Sequence, residues 1–91
     1  MPIEIIQFGS ETCLPCHAIR EKISHWAADK PLVHFTYMPI EEHPEAATAA
    51  EVFTVPTVLV YVEGKLSIRT GGYFSLDDVF AKVERFIHLM N

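Results

Sequence analysis

Cys13 and Cys16 are the only cysteines in this chain of 91 residues, and they stand as Cys13-Leu14-Pro15-Cys16. Two thiols at that spacing can close into a disulfide and reopen. They follow the apolar run Ile3-Glu4-Ile5-Ile6-Gln7-Phe8 and precede an amphipathic stretch, which reads as a strand-to-helix junction. A helix N-terminus carries partial positive charge and free backbone N–H groups, and both favour thiolate over thiol. The chemistry read from this placement is thiol–disulfide exchange. Cys13, at the junction, is expected to be the exposed attacking thiol. Cys16, one turn further on, is expected to be more buried and to resolve the mixed disulfide. His17 follows at once: a protonated ring there would favour thiolate, a neutral one facing solvent would do little. Pro15 restrains the loop between the sulfurs and is expected to affect the redox potential.

Three other chemistries are compatible with such a pair. A C-x-x-C is half a zinc site, but zinc needs four ligands. His17 is awkwardly adjacent, and His34 and His43 lie elsewhere in the chain. Cys13 to His17 also fits the C-x-x-C-H haem attachment pattern, against which stand the preceding strand and the Val-Pro-Thr downstream. Two inert buried thiols would fit Cys16 better than Cys13. No metal ligand set and no organic cofactor are expected; the redox group is the Cys13–Cys16 pair itself.

The elements that position the pair come from hydrophobic spacing. Residues 3–8 read as a buried strand. Cys16, Ile19, Ile23, Trp26 and Ala27 recur at helical spacing in a helix from Cys16 to Ala28, with Trp26 on its core face. Pro31 ends that helix and residues 32–38 read as a second strand. Pro44 opens a short helix, Glu45 to Glu51. Residues 57–62 are strongly β-branched, Glu63-Gly64 reads as a hairpin turn, and Lys65 to Thr70 as the returning strand. Ser75 resembles an N-cap, with Asp77 and Asp78 in the first turn of a last helix whose apolar stripe runs from Leu76 to Met90. The order β-α-β-α-β-β-α predicts an α/β fold. Its first two strands are parallel, its last two form a hairpin, and helices cover one mixed four-stranded sheet.

Thr54-Val55-Pro56-Thr57, just before a strong strand, marks a special turn, because proline cannot donate to a ladder. With this motif in its place, the chain resembles the thioredoxin superfamily over nearly its whole length, as one domain spanning residues 1–91. The resemblance puts Cys13 and Cys16 on the redox dithiol, Pro56 on the cis-proline facing it, Gly64 on the hairpin glycine and Gly72 on the glycine before the last helix. It implies that the Val55 backbone pairs with an extended substrate peptide, and that Pro56 keeps metal ions from bridging the thiols. Thr12, Leu14 and Gly72 complete the expected substrate contacts; Pro15, His17 and Gln7 are expected to modulate the site. Thioredoxin proper has tryptophan before the first cysteine and Gly-Pro between the two, where this chain has Thr12 and Leu14-Pro15. It also has a buried aspartate and a nearby lysine where Gln7 and Tyr37 stand. Gln7 cannot act as a base near neutral pH, so activation of Cys16 is expected to be weaker. With residues 3–8 leading directly to the dithiol, the additional N-terminal strand and helix of full thioredoxins are not expected. In that trimmed form, and in Thr54-Val55-Pro56 with Gly71-Gly72, it also resembles glutaredoxins. Glutaredoxins commonly carry Cys-Pro-Tyr-Cys and use basic residues to hold glutathione, and the nearest base here is Arg20.

Composition narrows the partners. Net charge is −5 with seven scattered Lys and Arg, so no basic stripe for nucleic acid exists. No apolar run approaches the roughly 20 residues that span a bilayer, and Met1-Pro2-Ile3-Glu4 does not read as an export signal. A cytoplasmic location is expected. The function expected is reduction of protein disulfides or relay of electrons, with a reductase or glutathione as donor. The competing reading is a non-catalytic binding module using the side of Phe8, Tyr73 and Phe74. Glu41-Glu42, His25 and His88 read as solvated residues.

Overall fold

The computed structural model describes residues 2–72 and 74–90. Its elements are β1 (Ile3–Gly9), α1 (Leu14–Ala27), β2 (Val33–Pro39), α2 (Pro44–Ala49), β3 (Thr57–Val62), β4 (Lys65–Gly71) and α3 (Leu76–Met90). The sheet order is β2-β1-β3-β4. β1 runs parallel to β2, and β3 is antiparallel to both β1 and β4. This is the expected order and pairing.

Period-two alternation sends β1 side chains to two different layers. Ile3 and Ile5 join Ile23 of α1, Val58 and Val60 of β3, and Val79 and Val83 of α3 in one buried cluster. Phe8 points the other way, into a second cluster with Leu59, Val52 and Ala47 of α2. The central strands are therefore buried on both faces, which explains why their sequences read as nearly continuous apolar runs. Trp26 packs on the first cluster as expected. Its ring stacks on Phe80 of α3 with centroids 4.4 Å apart, and its Nε1–H donates to Glu84 Oε2 at 3.1 Å.

Several element ends differ from the sequence expectation by one or two residues. α1 begins at Leu14, two residues before the first apolar position, because Cys13 serves as its N-cap and proline suits a first turn. β2 is shifted by one residue to end at Pro39. α2 stops at Ala49, since Glu51 takes φ +56°, outside the helical region. Arg69 of β4 donates to the carbonyls of Ala50 and Glu51 at 2.7 and 2.6 Å, satisfying groups that a helix end leaves open. The Glu63-Gly64 hairpin holds positive φ at both residues, the two-residue turn whose twist matches the strands it joins.

Candidate active site

The register brings four chain segments to one end of the sheet. Gly9 ends β1 opposite Pro39, Phe8 lies opposite Thr57, and Thr57 lies opposite Gly71. The turn carrying Cys13 follows Gly9, the turn of Ile40 and Glu41 follows Pro39, Val55-Pro56 precedes Thr57, and Gly72 follows Gly71. The dithiol and the Val-Pro motif, 40 residues apart in the chain, thus sit at the ends of adjacent strands.

Cys13 has an extended backbone, φ −93° and ψ 99°, and its sulfur accepts the Cys16 N–H at 3.2 Å. An N–H at the first turn of a helix has no carbonyl partner of its own, so the sulfur takes the place of a capping oxygen. The same N–H and the helix dipole stabilise a thiolate there. Cys16 is 0% exposed, whereas Cys13 is partly open to solvent. The two sulfurs are joined at 2.08 Å, with Cα atoms 5.2 Å apart. Leu14, 80% exposed, and Pro15 cover the outer rim of this first turn, and Thr12 is exposed beside it. The Val55–Pro56 bond is cis, Thr57 Oγ1 donates to Thr54 O at 2.7 Å across the turn, and Val55 packs on the second cluster. Gly72 holds φ +65° in open space, a backbone that side-chain-bearing residues rarely take.

Gln7 is fully buried, and its Nε2–H donates to the Cys16 carbonyl at 2.9 Å. The side chain at this position therefore grips the backbone of the second cysteine. Its Oε1 finds no partner, and neither does the buried hydroxyl of Tyr37, the residue opposite Gln7 in the β1–β2 register. The Tyr37 hydroxyl rests directly on Gly9, where any Cβ would collide with it. Arg20 of α1 stacks its guanidinium 4.4 Å from the Tyr37 ring centroid. Burial raises the phenol pKa above its ordinary value, and Arg20 partly opposes that shift.

Several residues stand differently from the sequence expectation. The His17 ring is engaged by the turn before Cys13, donating from Nε2 to the Glu11 carbonyl at 3.1 Å. Glu41 is exposed on its turn as expected, and it is also bonded to the turn before Cys13, through Ser10 and the Glu11 N–H. The Ser10 hydroxyl, first among the causes, holds its carboxyl below the usual range. Phe8 and Phe74 form no common patch: Phe8 is buried in the second cluster, and Phe74 packs on the first. Tyr73 lies outside the described residues. His25 and His88 are exposed as expected. Phe53, 80% exposed two residues before Val55, escaped the sequence reading. Ser10 did too, although a serine and a threonine just ahead of a helix are a turn signal in their own right. Among the described residues, no three or more His, Cys, Asp or Glu side chains are grouped to hold a metal ion, and no helix is long and apolar enough to cross a membrane.

The family model for thioredoxin matches residues 2–85. The chain belongs to the thioredoxin family. It is 31% identical over 61 residues to thioredoxin-2 of Pyricularia oryzae, a match covering 67% of this chain and 36% of that protein. Over 61 residues it is 33% identical to monothiol glutaredoxin-S17 of Arabidopsis thaliana, covering 67% of this chain and 12% of that one. It thus spans well under two thirds of these two relatives. Thioredoxin 1 of Thermosipho africanus matches in structure with a TM-score of 0.89 at 27% identity, covering 97% of this chain and 98% of the other.

Proposed function

We propose that this chain is a thiol–disulfide oxidoreductase that reduces protein disulfides or relays electrons through Cys13 and Cys16. The observation that carries the reading is the asymmetry of the pair. Cys13 is accessible and caps the helix with an N–H aimed at its sulfur, while Cys16 is sealed behind it. An attacking thiol needs access and thiolate character; a resolving thiol needs only to reach the first sulfur.

In the reaction, the Cys13 thiolate attacks one sulfur of a substrate disulfide. A Cys13–substrate disulfide forms and the second substrate sulfur leaves as a thiol. Cys16 then attacks the Cys13 sulfur, the substrate's first sulfur leaves, and the Cys13–Cys16 disulfide closes. Two electrons and two protons pass from the dithiol to the substrate. The Val55 backbone and Pro56 hold the extended substrate chain, with Thr12, Leu14 and Gly72 along its path, and Pro15, His17 and Gln7 tune the pair. No metal or organic cofactor takes part. A reductase or glutathione returns two electrons to the disulfide, and the cytoplasm is the compartment in which such a dithiol is kept reduced.

The test is turnover of an insulin-type disulfide substrate with dithiothreitol as donor, alongside a redox titration read by alkylation and mass. Wild type is expected to accelerate reduction. Cys13→Ser is expected to abolish it, and Cys16→Ser to accumulate a mixed disulfide. A midpoint near roughly −270 mV marks a reductant, and one above roughly −180 mV an oxidant or isomerase. A Cys13→Ser variant that keeps full turnover would sink the reading, as would thiols that never pair. Retention of a partner without turnover would favour the binding module instead.

A further inference from the structure

The turn that presents Cys13 is tied down by a residue outside the dithiol motif. Ser10 Oγ donates to Glu41 Oε2 at 2.6 Å, and the Glu11 N–H donates to the same oxygen at 3.1 Å. Glu41 reaches this place because the β1–β2 ladder runs one bond past Pro39, from Ile40 N–H to the Gly9 carbonyl at 2.9 Å. Ser10 passes the constraint to the cysteine. Its carbonyl accepts the Cys13 N–H at 3.1 Å, and its hydroxyl accepts the Thr12 N–H at 3.4 Å. Ser10 is 9% exposed, so its hydroxyl has little water to turn to and depends on these protein partners.

We propose that Glu41 is a positioning residue for Cys13, holding the 10–12 turn so that the sulfur stays over the Cys16 N–H. The proposal rests on the reading of Cys13 as the attacking thiol. Glu41 acts through Ser10 and Glu11 and does not touch the sulfurs. Two effects follow, opposite in sign. Its hydrogen bonds fix the cap geometry that stabilises a thiolate, while its negative charge nearby disfavours one. Hydrogen bonds to an ionised acceptor are the stronger kind, and the carboxylate accepts both bonds on one oxygen.

Two substitutions separate these effects. Glu41→Gln removes the charge and keeps an acceptor oxygen; Glu41→Ala removes both. Comparing the two isolates the geometric part. The measurement is the rate of Cys13 alkylation by iodoacetamide against pH in the reduced protein, with circular dichroism confirming the fold of each variant. Glu41→Ala is expected to titrate about half a pH unit higher than Glu41→Gln, an approximately threefold difference in thiolate at a pH below both midpoints, as the loss of one modest hydrogen bond gives. Superimposable profiles for Ala and Gln would overturn the proposal. If Glu41→Ala fails to fold, Ser10→Ala against wild type decides, because it breaks the same clamp with the charge retained. An upward move supports the proposal and an unchanged profile refutes it. Alkylation needs no substrate turnover, so a wild type inactive on insulin would defeat the proposed function while these profiles still decided the role of Glu41.

Discussion

At the scale of single residues, one departure from thioredoxin proper bears directly on the dithiol. Gln7 occupies the place where the resemblance puts a proton-accepting aspartate, and the structure shows what the amide does there: it donates to the Cys16 carbonyl from a fully buried site. It anchors the second cysteine without being able to take its proton. Gln7→Asp restores a carboxyl, whose pKa burial would raise toward the range useful for proton transfer. It also deletes the donor to Cys16. The expected outcome is a faster release of reduced substrate from the mixed disulfide in stopped-flow, together with a loss of about 1–3 kcal/mol in stability by urea denaturation. An unchanged resolving rate would mean that position 7 does not handle the proton. The dithiol and its proline were legible in the sequence because their types and spacing are themselves the signal. The Glu41 and Tyr37 contacts were not, since they depend on which loops two parallel strands bring side by side. Thirty-one residues separate Ser10 from Glu41, and no periodicity links them.

At the scale of elements, the helices were readable from their stripes, and their ends were less so. Apolar spacing placed the start of α1 at Cys16, whereas the cap places it at Leu14. Two residues matter here, because they put Cys13 at the cap itself, with its sulfur on the N–H of the third helical residue. The far end of α2 is set by Arg69 from a strand 18 residues away, information that local pattern does not hold. The start of α3 is the opposite case. Ser75 reads as a cap from its type and place, and its Oγ accepts the Asp78 N–H at 3.2 Å. Ser75→Ala is expected to cost about 1 kcal/mol, read as a lower denaturation midpoint with an unchanged slope. A cost of zero would show that water replaces the bond fully at this exposed position.

At the scale of the whole molecule, one sheet carries two cores of unequal size. The larger, under α1 and α3, holds Ile3, Ile5, Ile23 and Val83; the smaller, under α2, holds Phe8, Ala47, Val52 and Leu59. They share β1 and β3, whose consecutive residues alternate between them, so neither layer can lose its order without disturbing strands that the other uses. The site end of the sheet depends on both: Cys16 belongs to α1, and the Val55-Pro56 turn packs on the α2 side. Leu59 and Val60 are adjacent in β3, 1% and 0% exposed, and face opposite layers. Leu59→Ala is expected to cost about 2–5 kcal/mol. Because the strands are common property, the whole chain is expected to unfold in one transition, with tryptophan fluorescence from the α1–α3 side and far-UV circular dichroism reporting the same midpoint. If Leu59→Ala instead produced an early loss of circular dichroism while Trp26 kept its native signal, the α2 layer would be a separate unit. The Val55-Pro56 turn, packed on that layer, would then loosen without disturbing the dithiol.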